Sequence, residues 1–235
     1  HLGPAGAALG TTCAQAISVV ISLCMIIRQR KEFSLSREDF RLSHNIMGHI
    51  LKIGIPIALQ DGFIQVAFMI ITIIANQRGL NDAAAVGIVE KIISFLFLIP
   101  SSMLSTVSAL GAQNIGAGKR QRANETLRYA VLITVGFGII VGIFMQFFAS
   151  PVVALFTDAS DASGAEVVRL GGQYLRGYVW DCMFAGIHFS FSGYFCACGK
   201  SGISFLHNII AITLVRIPGV YLTSTLFPDT LFPMG

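Results

Sequence analysis

Six long apolar stretches constrain this chain more than anything else in it: about Ala5–Ile27, Ile46–Ala75, Ala83–Leu110, Leu127–Phe148, Leu170–Cys198 and Ile203–Phe227. A bilayer core takes roughly 20 mostly apolar residues to cross as a helix, and every stretch reaches that length. Lipid offers no hydrogen bonds, so a spanning backbone must satisfy itself inside a helix or a closed barrel. Barrel strands alternate apolar and polar residues over about ten positions, and these runs are longer and evenly apolar. The expected fold is all-α: a polytopic membrane helix bundle with six transmembrane helices. Composition agrees, with 54% hydrophobic and 12% charged residues against about 25% charged in soluble domains. That balance also excludes intrinsic disorder.

The basic residues give the expected orientation. Arg28, Arg30, Lys31, Arg37, Arg41 and Lys52 surround the connection after the first span. Lys119, Arg120, Arg122 and Arg128 follow the third, and Lys200 follows the fifth. The other side holds Arg78, Arg169 and Arg176, so eleven basic residues face three in strict alternation. Basic loops mark the cytoplasmic side. The net charge of +4 is therefore a topology signal, and no nucleic-acid partner is expected. In the first connection, Ser36-Arg37-Glu38-Asp39 resembles a capping box ahead of Phe40, Leu42, Ile46 and Met47. It predicts either a short surface helix or a polar loop leading into the second span. His1 is no initiator and no basic region precedes the first span, so no signal peptide is expected and the chain reads as part of a longer protein.

Two motifs suggest phosphate binding and fail. In Gly111-Ala-Gln-Asn-Ile-Gly-Ala-Gly-Lys119 the positions that a Walker loop gives to its first Gly and its Ser/Thr are Gln113 and Arg120. Gly199-Lys200-Ser201 has Tyr194 where that Gly belongs. The five cysteines, Cys13, Cys24, Cys182, Cys196 and Cys198, all fall in apolar stretches and read as small hydrophobes. No metal, cofactor or enzymatic nucleophile is expected.

The informative residues are ionisable groups at membrane depth, each costing at least ~2.5–3.5 kcal/mol near a helix centre unless it faces a cavity or a partner. Asp61 lies nine residues past Lys52, about 13 Å in, and Asp181 twelve past Arg169, about 18 Å in, at 1.5 Å per residue. Glu90 and Lys91 sit in the third span and Arg216 in the last, just before Pro218. Asp61, Asp181 and Glu90 are the candidates for binding a coupling cation or proton; structural ion pairs with Arg216 or Lys91 are the alternative. Gln60, Gln65, Tyr178, Trp180, Phe184 and His188 are candidates for a polar, aromatic substrate cleft. Pro56, Pro100 and Pro218 fall inside spans, where each removes a helix hydrogen bond; broken helices of this kind flank transporter sites.

Particular stretches resemble a family. Leu51-Lys-Ile-Gly-Ile-Pro-Ile-Ala-Leu-Gln60 is similar to the start of the seventh helix of MATE multidrug and toxin extrusion transporters. The run from Pro100 to Ala123, above all Gln113-Asn-Ile-Gly-Ala-Gly-Lys-x-x-Arg-Ala, resembles the eighth helix and its loop. Gly3-Pro-Ala-Gly-Ala-Ala-Leu-Gly-Thr-Thr12 resembles the start of the sixth helix, and Gly193-Tyr-Phe-Cys-Ala-Cys-Gly199 the end of the tenth.

The resemblance implies helices six to eleven of a twelve-helix, two-lobe transporter. Residues 1–27 would be the last helix of the N-terminal lobe, 28–49 the cytoplasmic inter-lobe connection, and 50–235 the C-terminal lobe without its last helix. It further implies a multi-pass protein of the cell membrane, with the bilayer, the missing N-terminal lobe and small organic cations or drugs as partners. Drugs would be exported in exchange for Na⁺ or H⁺, with no other cofactor. A lipid-linked oligosaccharide flippase of the same superfamily and a non-transport membrane subunit are the alternatives. One family branch carries cation-binding carboxylates that would fall near Ile64–Gln65 and Ile187–His188. Neither place is acidic here, and Asp61 and Asp181 lie one to two turns away.

Overall fold

The structure, a computed structural model, describes residues 3–28, 43–157, 161–227 and 230–234. Among these there are helices and no strand. The chain divides into two compact units, His1–Met47 and Gly48–Gly235. The first holds α1 (Gly3–Arg28), whose apolar window Ala8–Met25 is wholly exposed. The proposed capping box at Ser36–Asp39 lies outside the described residues.

The second unit is built from α2 (His44–Arg78), α3 (Leu80–Leu96), α4 (Leu98–Gly116), α5 (Arg120–Ala154), α6 (Ala162–Tyr178), α7 (Asp181–Ala197), α8 (Ser201–Ile210) and α9 (Ile217–Leu226). Pro56 lies inside an unbroken α2. Pro100 acts as expected: its ring crowds the carbonyl four residues back, and the third span breaks at Phe97 into α3 and α4. Before Pro218, residues Ala211–Arg216 form a π-helical turn in which the Ile217 N–H reaches back five residues to the Ile212 carbonyl.

Five stretches are long and apolar enough to span a bilayer: Ala8–Met25, His44–Arg78, Leu80–Gly116, Arg120–Ala154 and Ser201–Leu226. The remaining expected span, Leu170–Cys198, is carried instead by α6 and α7 in succession, 17 residues each. At 1.5 Å per residue neither alone reaches the ~30 Å of a bilayer core. No proline breaks them. The turn at Val179–Trp180 closes through three-residue steps, Cys182 N–H to Val179 O (3.1 Å) and Met183 N–H to Trp180 O (3.2 Å). The Trp180 indole holds it by sitting on Gly142 of α5, where an added Cβ would lie 2.9 Å from the ring.

α7 packs against α4 and α5 by close backbone approach. A Cβ on Gly193 would come within 2.6 Å of the Leu104 carbonyl, and one on Gly138 within 2.7 Å of the Met183 Cα. In lipid, where burying apolar surface gains little, such small-residue contacts carry helix association. Outward, large apolar side chains such as Phe95, Ile140 and Phe147 are 70–77% exposed, a surface suited to acyl chains.

The two Gly-Lys pairs have a structural task. Gly118 (φ 74°) and Gly199 (φ 69°) adopt the left-handed conformation that ends α4 and α7. Lys119 and Lys200 donate their backbone N–H to Asn114 O and Phe195 O, both at 2.8 Å, the bond pattern of a Schellman stop. At the other end of the unit Arg78 gathers orphan carbonyls. It donates to Asp82 Oδ2 (2.8 Å), to Ser224 O (3.0 Å) and Phe227 O (3.3 Å) at the end of α9, and to Thr230 O (3.2 Å). The last carbonyls of a helix have no intrahelical donor, and a guanidinium supplies several at once. The apolar core lies beside this clamp, around Ile71, Val89, Val153, Tyr174 and Leu175.

Gly193→Val puts a branched side chain where only hydrogen fits. Overpacking of this kind costs about 1–3 kcal/mol. Thermal unfolding in detergent should show the loss, while Gly202→Val, where the space around a Cβ is open, should change stability little.

Candidate functional site

A cavity of about 650 Å³ opens within the second unit. All three helix interruptions line it: Phe97, the Tyr178–Asp181 turn, and the π turn through Ala211, Ile212, Val215 and Arg216. Irregular backbone at membrane depth is tolerated where it lines a cavity or is buried in protein. The walls are mainly apolar and aromatic, with α2 contributing Ile64, Phe68 and Ile71.

The break before α7 makes Asp181 its first residue and turns it into the cavity. The π turn does the same for Arg216. The Arg216 guanidinium lies 4.8 Å from the centre of the Phe68 ring and 5.5 Å from that of Tyr178, and donates to the Tyr178 hydroxyl. Two aromatic faces and a hydroxyl thus hold this cation, a contact worth about 0.5–2 kcal/mol per face. Among the described residues the ion pairs are Arg78–Asp82 and Arg169–Glu166. Asp181 and Arg216 share the cavity without closing to salt-bridge distance, and their opposite charges attract across it.

Five expected site residues meet at this cavity: Tyr178, Trp180, Asp181, Phe184 and His188. The rest lie elsewhere. Asp61 and Gln65 are exposed on α2 and do not line it. Glu90 of α3 accepts a hydrogen bond from Thr72 Oγ1 of α2 at 3.1 Å. Gln60 is buried, 1% exposed, and accepts from Ser204 Oγ of α8 at 2.8 Å, so it joins two helices. Lys91 is exposed.

Sequence reasoning missed Phe68, His207 and Asn208. His188 lies 2.7 Å from His207 through Nδ1 and 3.0 Å from the Asn208 amide nitrogen through Nε2. His207 and Asn208 are the fifth and sixth residues of the last apolar stretch. The rule applied to buried carboxylates, that a polar group at depth needs a partner, would have found this pair too. Phe68 left no signal, since an aromatic residue under a guanidinium looks like any other in an apolar helix. Of the cysteines, Cys182 and Cys196 are buried while Cys13, Cys24 and Cys198 are exposed; all are free thiols.

Trp180 is the one tryptophan of the 235 residues. An aromatic cation such as tetraphenylphosphonium should quench its emission saturably, read as wild type minus Trp180→Phe. Quenching that the substitution leaves unchanged contradicts entry into this cavity.

Comparison with known proteins bears on the whole chain. The family model described as MatE matches residues 56–222. The chain is 28% identical over 223 residues to the probable multidrug resistance protein YpnP of Bacillus subtilis, covering 93% of this chain and 47% of that protein. It is 25% identical over 228 residues to the multidrug export protein MepA of Staphylococcus haemolyticus, covering 97% and 49%. Its fold matches the crystal structure of a mutant of the Vibrio cholerae MATE transporter VcmN with a TM-score of 0.85 at 19% identity, over 97% of this chain and 51% of that one. The chain thus spans about half the length of the relatives it matches.

Proposed function

This chain belongs to the MatE family of multidrug efflux transporters, and on that premise we propose that it serves a secondary active exporter of drugs or organic cations driven by Na⁺ or H⁺ entry. The observation that carries this reading is the convergence of three helix interruptions on one aromatic cavity holding a carboxylate, Asp181, that forms no salt bridge among the described residues. Aromatic walls suit flat organic cations. A carboxylate at membrane depth suits a coupling ion.

The proposed cycle needs two states. An external cation or proton binds a cavity carboxylate and favours the state that faces outward and binds drug weakly. Its release inside lets drug rebind. A ligand shifts such an equilibrium only by its differential affinity for the two states. The cavity favours Asp181 as the coupling group over Asp61, which is exposed, and Glu90, which already accepts from Thr72. Tyr178, Trp180, Phe184 and His188 would form part of the drug-facing wall.

In this reading residues 1–27 end an N-terminal lobe, 28–49 connect the lobes, and 50–235 belong to the C-terminal lobe, with the basic loops cytoplasmic. A flippase for a lipid-linked diphosphate would want several cations. Among the residues lining the cavity, Arg216 is the one Lys or Arg.

Ethidium accumulation in pump-deficient cells expressing the full-length gene tests the reading. Expression should lower accumulation, and the effect should vanish when one of the two gradients, proton or Na⁺, is collapsed and survive loss of the other, which names the ion. Unchanged accumulation with confirmed membrane expression contradicts drug antiport and favours the flippase.

A further inference from the structure

The three polar side chains that sequence reasoning did not bring together form a chain of hydrogen bonds whose protons can be placed one by one. The Asn208 amide nitrogen lies 3.0 Å from His188 Nε2. His188 Nδ1 lies 2.7 Å from His207 Nε2. His207 Nδ1 lies 3.0 Å from the Ile203 carbonyl, one turn back on α8. An amide nitrogen only donates and a carbonyl only accepts. His188 Nε2 must therefore be bare, and the ring carries its proton on Nδ1. That proton is donated to His207 Nε2, which is also bare, and the His207 proton sits on Nδ1 and goes to Ile203. Both rings are neutral, and all four ring nitrogens are used.

One atom does not fit this arrangement. Asn208 is 5% exposed, and its Oδ1 is buried without a hydrogen-bond partner. A buried acceptor left unpaired is unfavourable. Turning the amide over would bring Oδ1 to His188 Nε2, where it could be satisfied only if Nε2 carried a proton, and would move the NH2 to the place Oδ1 left. Every other bond in the chain would survive that change, because His188 would still donate through Nδ1. The same side chains thus support two hydrogen-bonded arrangements that differ by one proton.

We propose that His188, His207 and Asn208 form a proton-binding site between α7 and α8, taking one proton on His188 Nε2, with the Asn208 amide turned so that Oδ1 accepts it. The proton comes from water. The site passes from neutral to one positive charge, and no heavy-atom bond changes. His188 lines both the large cavity and a second, mostly apolar hollow that it shares with Phe191, Phe195, Ile203 and His207.

The added charge meets few others. Asp181, Arg216 and Tyr178 line the same cavity: Asp181 favours the charge and Arg216 opposes it. α4 carries no titratable residue. The titratable residues of α5, Arg120, Arg122, Glu125, Arg128 and Tyr129, all precede Thr134, which packs on Gly186 of α7. On α2, Asp61 is exposed and outside the cavity lining, and Lys52 and Arg78 lie toward the ends of the helix. On α9, Tyr221 is exposed. Any part this site plays in transport rests on the antiport reading above; its existence as a proton site does not.

The test is ¹⁵N-histidine NMR of the full-length protein in lipid nanodiscs, with His188 and His207 assigned through His188→Gln and His207→Gln. At pH 8.5 both rings should show the Nδ1–H tautomer, the minor form of free histidine. Acidification below pH 4 should add one proton to the pair and put an N–H on His188 Nε2, with either ring keeping the proton shared between His188 Nδ1 and His207 Nε2. Asn208→Asp, which offers Nε2 a permanent acceptor, should raise the ratio of protonated to bare His188 Nε2 at least tenfold at a given pH. An Nε2–H tautomer on His188 at pH 8.5, a His188 Nε2 still bare well below pH 4, or indifference to Asn208→Asp overturns the proposal. Drug counterflow in proteoliposomes of the same preparation separates the two readings. A wild-type protein that moves no drug under either gradient ends the antiport reading, and the NMR titration still decides the proton site.

Discussion

In lipid, a backbone amide that leaves its helix has nowhere else to go. The second unit breaks its helices at three places all the same, at Phe97, at Val179–Trp180 and through Ala211–Arg216, and each break has a distinct local cause. Pro100 withdraws an N–H and crowds the preceding turn. Trp180 is held on Gly142. Pro218 follows a turn whose hydrogen bonds have stretched to five-residue steps. What the breaks share is their destination, since residues from all of them line one cavity. The cavity exists because the helices are interrupted, and the interruptions are tolerated because they border it.

The charged groups follow from the same constraint. A continuous helix through Tyr178 and Asp181 would leave the carboxylate wherever the helical repeat put it. The turn makes it the first residue of α7, facing the cavity. The π turn likewise changes the helical phase just before Arg216, bringing its guanidinium over Phe68 and Tyr178. Tight packing of α7 through Gly193, Gly186 and Gly138 leaves this arrangement little freedom to relax. A site defined by helix ends and fixed by backbone contact has few ways to move except as a unit, which suits the two-state cycle proposed above.

Much of the fold was visible in the sequence, and for physical reasons. Spans are read from length and hydropathy, and α1, α2 and α5 lie where those place them. The Leu170–Cys198 stretch was readable as apolar but not as two helices, because its break depends on a tertiary contact between Trp180 and Gly142. Pro100 and Pro218 announced their irregularities in advance, while Pro56 passed without one. Depth arguments placed Asp181 and His188 in a cavity, because an isolated polar group in lipid needs a reason to be there. The same arguments named Asp61 and Glu90, which the structure sets apart from it. Depth states how far along a helix a residue lies, not which face it occupies. His207 and Asn208 gave the same kind of signal, weakened by their place near the start of the last apolar stretch.

The central claim is that the Asp181 carboxylate couples ion entry to drug exit from this cavity. The most direct test is gradient-driven drug accumulation in proteoliposomes of the full-length transporter, compared between wild type, Asp181→Asn and Asp61→Asn. The account predicts that Asp181→Asn still binds drug but no longer accumulates it against a gradient, and that Asp61→Asn behaves as wild type. Gradient-driven accumulation undiminished in Asp181→Asn would contradict it.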